Sequence, residues 1–137
     1  MKNCFLYIAL WSIVLCVQAH QNDICVPVDL TCEYLVNPIG LDVSNPRLAW
    51  KLQDSRSGAI WVDTDSLSVV EEKASVWDTG KRESDRILWT YAGSALQPFT
   101  KYYWKVTVWD KDGKSASSFV QSFETGIMDI SQWQGSW

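Results

Sequence analysis

Histidine is almost missing from this chain: His20 stands alone among 137 residues. A single imidazole leaves most small-domain chemistry short of parts. A copper site on an amino-terminal His needs a second His, and none exists. A Ser-His-Asp or Cys-His arrangement would have to recruit His20 itself. No nucleophile elbow or phosphate-cradling glycine loop is present, and no internal repeat or low-complexity tract appears. Basic runs are missing too. With a formal net charge of −4 and no polybasic segment, the chain is a poor match for nucleic acid or an anionic membrane surface.

The one long apolar run stands at the start. Lys2 precedes Phe5 to Val17, and Val17-Gln18-Ala19 sets small residues where a signal peptidase reads. The run is shorter than the about 20 residues a helical bilayer span needs. A signal-peptide helix over 1–19, export to a periplasmic or extracellular space, and no membrane attachment after cleavage are therefore expected. Cleavage removes Lys2 and no acid, so the product is more acidic than the whole chain. Cys4 and Cys16 leave with the leader. Cys25 and Cys32 remain, in an oxidising compartment. They either close a small disulfide loop or sit buried as small hydrophobes, and spacing alone does not decide between the two.

After a lead over 20–27, apolar residues recur with period two in short runs broken by turn residues, which points to strands. Val28, Leu30 and Cys32 alternate with polar neighbours; Leu48, Trp50 and Leu52 share one face of another strand. Ser55-Arg56-Ser57-Gly58 and Asp78-Thr79-Gly80-Lys81 read as turns, Ile60 to Val62 as a short apolar piece and Ile87 to Tyr91 as a strand. Asp65 to Val76 fits either a short helix carrying Glu71, Glu72 and Lys73 or a loop. The strongest strand runs from Tyr102 to Trp109, with Tyr102, Trp104, Val106 and Val108 on one face. Asp110-Lys111-Asp112-Gly113 ends it with hairpin chemistry, and Phe119 to Thr125 returns as its partner.

About seven short strands with regular turns predict an all-β, immunoglobulin or fibronectin type III-like antiparallel β-sandwich over 28–126. Leu96 to Tyr102 stands where such folds place a tyrosine corner, whose hydroxyl bonds to backbone a few residues upstream. Trp50, Tyr102 and Trp104 are assigned to the core, with Trp61 and Trp77 beside them. Residues 127–137 read as a linker into a further domain.

Chemistry finds few footholds. Asp110 to Lys114 looks briefly like a calcium loop, but Lys114 occupies a ligand position and Gln121 replaces the bidentate Glu, so a plain turn is favoured. Asp63 with Asp65, Asp110 with Asp112, and Glu71 with Glu72 are the only close carboxylate pairs considered for glycosidase-type work, and solvated carboxylates explain each. No catalytic, cofactor-binding or metal-ligating residue is assigned. The nine tryptophans carry more information. Trp89, Tyr91, Tyr103, Trp109, Trp133 and Trp137 are candidates for contact with a neighbouring domain or for stacking on sugar rings, with the interface favoured.

Several of these segments together resemble the opening of bacterial α-L-rhamnosidases of glycoside hydrolase family 78. They are Leu30 to Asp42, Asn45 to Trp50, Val76 to Lys81, Tyr102 to Asp110, Phe123 to Gly126 and Trp133 to Trp137. The resemblance covers nearly all of the chain after the leader. It implies a fibronectin-like accessory domain, truncated before the catalytic (α/α)₆ barrel whose acids hydrolyse terminal α-L-rhamnose bonds. It also implies that the chain alone is inactive, and that its partners are the downstream rhamnosidase domains and rhamnose-containing glycans, the first through a surface including Trp109, Trp133 and Trp137. A free-standing carbohydrate-binding or interaction module is the alternative. Where the family carries a fuller strand ahead of Trp61-Val62-Asp63, Gly58-Ala59-Ile60 here leads straight into Trp61. A shortened central strand and marginal stability are therefore expected.

Overall fold

The computed structural model describes residues 26–52 and 55–135. The expected leader over 1–19, Cys25 with most of the 20–27 lead, and Trp137 lie outside those residues. Nine strands form among the described residues: β1 (Val28–Cys32), β2 (Arg47–Lys51), β3 (Ser57–Asp63), β4 (Trp77–Asp78), β5 (Arg82–Glu83), β6 (Leu88–Thr90), β7 (Lys101–Trp109), β8 (Ser115–Ser117) and β9 (Gln121–Glu124). One α-helix, α1 (Ser66–Val70), joins β3 to β4, and a short 3-10 turn spans Ile130–Gln132 in the tail. β1, β2 and β6 make a three-stranded sheet, and the rest make a six-stranded sheet centred on β3 and β7. Every strand pairing is antiparallel.

Strand parity fills the space between the sheets. Leu30, Cys32, Leu48 and Trp50 project from one sheet, and Ile60, Val62, Tyr102, Trp104, Val106, Val108 and Phe123 from the other. Trp50, Tyr102 and Trp104 are all buried, as expected. Tyr102 also makes the corner bond: its hydroxyl accepts from the Gln97 backbone N–H at 2.8 Å. The hairpin after β7 forms as read, with Gly113 at φ 80 supplying the left-handed residue.

Four expectations need correction. Ser57 and Gly58 are not in a turn; they begin β3, which pairs with β7 at all seven positions from Ser57↔Trp109 to Asp63↔Tyr103. β3 is thus paired along its whole length, so the argument for marginal stability from missing ladder bonds falls. Trp61 is buried but faces away from the main core, in a second cluster with Ala59 and Val69, because it alternates with Ile60 and Val62 along one strand. The return from the hairpin is not one strand: β8 pairs with Thr107 to Trp109 and β9 with Lys101 to Trp104, while Phe119 between them is exposed. The Asp65–Val76 stretch is helix first and loop afterwards, with Glu71 capping α1 rather than lying within it.

Candidate functional site

Of the acids that sequence reading paired, Asp63, Asp65 and Asp110 are already occupied by local donors. Asp63 is buried. Its Oδ2 accepts from the Ser75 backbone N–H at 2.6 Å and the Ser75 hydroxyl at 2.9 Å, and its Oδ1 accepts from Asp65 N–H at 3.2 Å. Burial pushes its carboxyl up, but these donors outweigh that and hold it below the ordinary value. Asp65 caps α1, accepting from the Ser68 hydroxyl and the backbone of Ser68 and Leu67, which also lowers its carboxyl. Asp110 Oδ1 accepts from the backbone N–H of Asp112 and Lys114, closing the hairpin. Each of these carboxylates holds backbone in place. Among the described residues, no three His, Cys, Asp or Glu side chains gather as metal ligands would.

Glu72 has a different task. The Lys105 side chain, buried on β7, lies over the Trp61 ring at 5.5 Å. Its ammonium donates to the Val70 carbonyl at 3.1 Å and pairs with Glu72 at 3.0 Å. The cation sits at the carboxyl end of α1, where free carbonyls welcome it. α1 is thereby clamped onto the sheet, with Val69 underneath.

The candidate aromatics do not converge. Tyr91 belongs to the core, only 1% exposed. It packs edge-on to Trp77 with ring centroids 5.0 Å apart, and its hydroxyl donates to the Ser94 carbonyl. Burial, then the nearby Tyr102, pushes that hydroxyl up to about 12. Tyr91 thus offers no ring face to a sugar or a neighbouring domain: Leu88 and Thr90 face out, so Trp89 and Tyr91 face in. Trp89 is half-buried, its ring centroid 6.4 Å from that of Trp50. Tyr103 and Trp109 stand at opposite ends of β7 on the α1 side, under Lys101 and Lys81 respectively. Among the described candidates, Trp133 alone is well exposed, at 63%. Cys32 is a buried thiol; burial, then the Glu33 charge, pushes it up to about 12. Its pairing with Cys25 lies outside the described residues. The Trp50 indole N–H is buried without a partner among them.

Sequence reading missed a surface at one end of the sandwich. β1 ends there, β2 and β7 begin there, and β9 leaves there. Three segments are knitted at this end. Leu41 N–H donates to the Glu124 carbonyl, Gly126 N–H to Leu41, Phe99 N–H to Gly126, and Met128 N–H to Asp42 Oδ1 at 3.0 Å. Gly126 fits closely here: a Cβ would lie 2.6 Å from Asp42 Oδ1 and 3.1 Å from the Gly40 carbonyl oxygen, displacing the carboxylate that holds Met128. From this framework Leu35, Val36, Ile39, Phe99, Ile130 and Trp133 project into solvent. The signal was available in the sequence: apolar residues placed among Asn, Pro and Gly, where turns are ordinarily polar. A shallow groove of about 260 Å³ runs along the side and adjoins this surface at Val36, with Val28, Leu30, Phe119 and Gln121 among its other lining residues.

Comparison with known proteins gives this geometry a family. Residues 27–129 match the family model for the Rha78A-like, N-terminal immunoglobulin domain. An α-L-rhamnosidase of Streptomyces avermitilis is 40% identical over 111 residues, covering 77% of this chain and 11% of that protein. One from Formosa agariphila is 31% identical over 108 residues, covering 74% and 12%. The solved α-L-rhamnosidase from Dictyoglumus thermophilum superposes with a TM-score of 0.79 at 34% identity, covering 84% of this chain and 14% of that one. The Streptomyces avermitilis enzyme complexed with L-rhamnose gives 0.75 at 35% identity, covering 81% and 11%. The chain thus spans 11% to 12% of the length of these curated relatives. It belongs to the family of Rha78A-like N-terminal immunoglobulin domains, found at the front of α-L-rhamnosidases.

Proposed function

We propose that this chain is the non-catalytic, N-terminal accessory sandwich of an exported glycoside hydrolase family 78 α-L-rhamnosidase. Hydrolysis of terminal α-L-rhamnose bonds then falls to domains outside this chain. One observation carries the reading: the match spans residues 27–129 as an N-terminal domain, within relatives of which it is 11% to 12%. The engagement of Asp63, Asp65 and Asp110 by backbone and hydroxyl donors supports it, because a glycosidase needs two carboxyl groups free to face one bond. The domain's contribution is to pack against its neighbours and hold the catalytic unit in place. Export rests on the apolar leader ahead of His20. A sugar-stacking role finds no support in the ring positions, since Tyr91 is buried, Trp89 packs toward Trp50, and Tyr103 and Trp109 stand at opposite ends of β7.

The test is rhamnose release from an aryl α-L-rhamnoside. The chain alone is expected to release none. Turnover that survives purification and tracks the chain would sink the reading.

A further inference from the structure

We propose that the end of the sandwich where the chain leaves β9 is the seat of the domain that follows in the full-length rhamnosidase, with Ile39, Phe99, Ile130 and Trp133 as its contact ridge. This rests on the accessory-domain reading above and adds to it the face and the residues.

Exposure points there first. Ile39 and Phe99 are 78% and 76% exposed, and Ile130 and Trp133 lie in the tail that follows. Clustered apolar surface of this kind marks protein contact. The other end of β7 is built differently: its hairpin presents Asp110, Lys111, Asp112 and Lys114.

Backbone strain points to the same end. Among the described residues, seven non-glycine residues have positive φ: Asp29, Glu33, Tyr34, Asn37, Glu72, Phe99 and Met128. All but Asp29 and Glu72 lie at this end. Phe99, at φ 50, is the least expected of them, because a bulky ring gains nothing from the left-handed region. Its own side chain is in solvent, so packing within this chain does not compensate. Strain held in place by the surrounding hydrogen bonds and spent on presenting a ring is characteristic of contact sites.

Covalent continuity names the occupant. The tail does not leave as a free tether: Gly126 and Met128 are pinned to Leu41 and Asp42. Whatever follows is delivered next to Ile39 and Phe99 at high effective concentration. The family domain is N-terminal in relatives about nine times longer, so a following domain is the partner that this tether presents.

Amide hydrogen exchange tests this in two proteins: the chain alone, and the Streptomyces avermitilis enzyme with residues 27–129 and the adjoining tail grafted in place of its own matched domain. The same graft into the Dictyoglumus thermophilum enzyme provides a second host. In the grafted enzymes, segments 33–43, 97–100 and 126–133 should exchange at least about tenfold more slowly than in the chain alone. Phe99→Asn, a residue that tolerates positive φ, should abolish that protection while leaving the thermal midpoint of the chain alone unchanged or raised. Ile39→Asn is the second variant. Protection confined to segments 26–30 and 119–121 of the side groove, or to the α1 face, with 97–100 and 126–133 unprotected, would overturn this inference and leave the accessory reading standing. Concentration-dependent protection of the same segments in the chain alone would assign the face to a second copy. No added protection anywhere would remove the packing role itself.

Discussion

The Tyr102 hydroxyl accepts the Gln97 N–H across five residues of chain, at a point where the loop before β7 turns back over the core. Tyr102 is buried, while Gln97 lies at the surface, so the bond between them is partly buried. Deleting the hydroxyl removes that bond, which costs about 0.5–1.5 kcal/mol. Tyr102→Phe is therefore expected to lower the urea midpoint with little change in the slope of the transition. The ring itself keeps its stacking on Phe123, with centroids 5.3 Å apart, so the loss reports the hydroxyl alone. An unchanged midpoint would mean that the corner is ornamental here. This feature was legible in the sequence because it is local: the Tyr, the Pro98 and Leu96 stand within seven residues of one another.

At the scale of elements, the attachment of α1 turns on an asymmetric ion pair. Lys105 keeps only 9% of its side chain exposed, whereas Glu72 keeps 40%. Removing Glu72 leaves a buried ammonium with the Val70 carbonyl as its remaining partner. Removing Lys105 leaves a carboxylate that water can hydrate. Glu72→Ala should therefore destabilise more than Lys105→Met, the former by about 1–3 kcal/mol once its partial exposure is allowed for. Paired denaturation curves decide it, and the reverse order would show that burial of the lysine is not what the pair relieves. None of this could be read from the chain. The helix is five residues long, too short for periodicity to reveal, and Lys105 meets Glu72 only because β7 runs beneath the loop after α1. The same reason hid the start of β3. Ser55 to Gly58 has turn composition, yet Ser57 and Gly58 pair with Trp109 and Val108, because a nine-residue β7 offers ladder bonds along its whole length. What was legible was β7, its hairpin and the inward parity of Trp50 and Trp104. What was not was which sheet face, or which end, each remaining aromatic would occupy.

For the molecule as a whole, the question is whether two sheets sharing one core open together or whether β1 can leave first. β1 is a five-residue strand with a register irregularity between Val28 and Thr31, and among the described residues β2 is its only strand partner. That pairing argues for fraying. Burial argues the other way: Leu30 and Cys32 lie in the same cluster as Leu48, Trp50 and Trp104, so removing β1 strips apolar cover from both sheets. Cys32 reads the outcome. With its thiol pushed up to about 12, chiefly by burial, it has almost no thiolate at neutral pH and does not alkylate while folded. Alkylation of Cys32 in the reduced protein, followed by peptide mass mapping, should therefore proceed only through opening. Its denaturant dependence should match that of global unfolding followed by tryptophan fluorescence. A labelling rate far faster and nearly independent of denaturant would show β1 peeling alone, and would make the three-stranded sheet a loosely held cover over a core organised by β3 and β7.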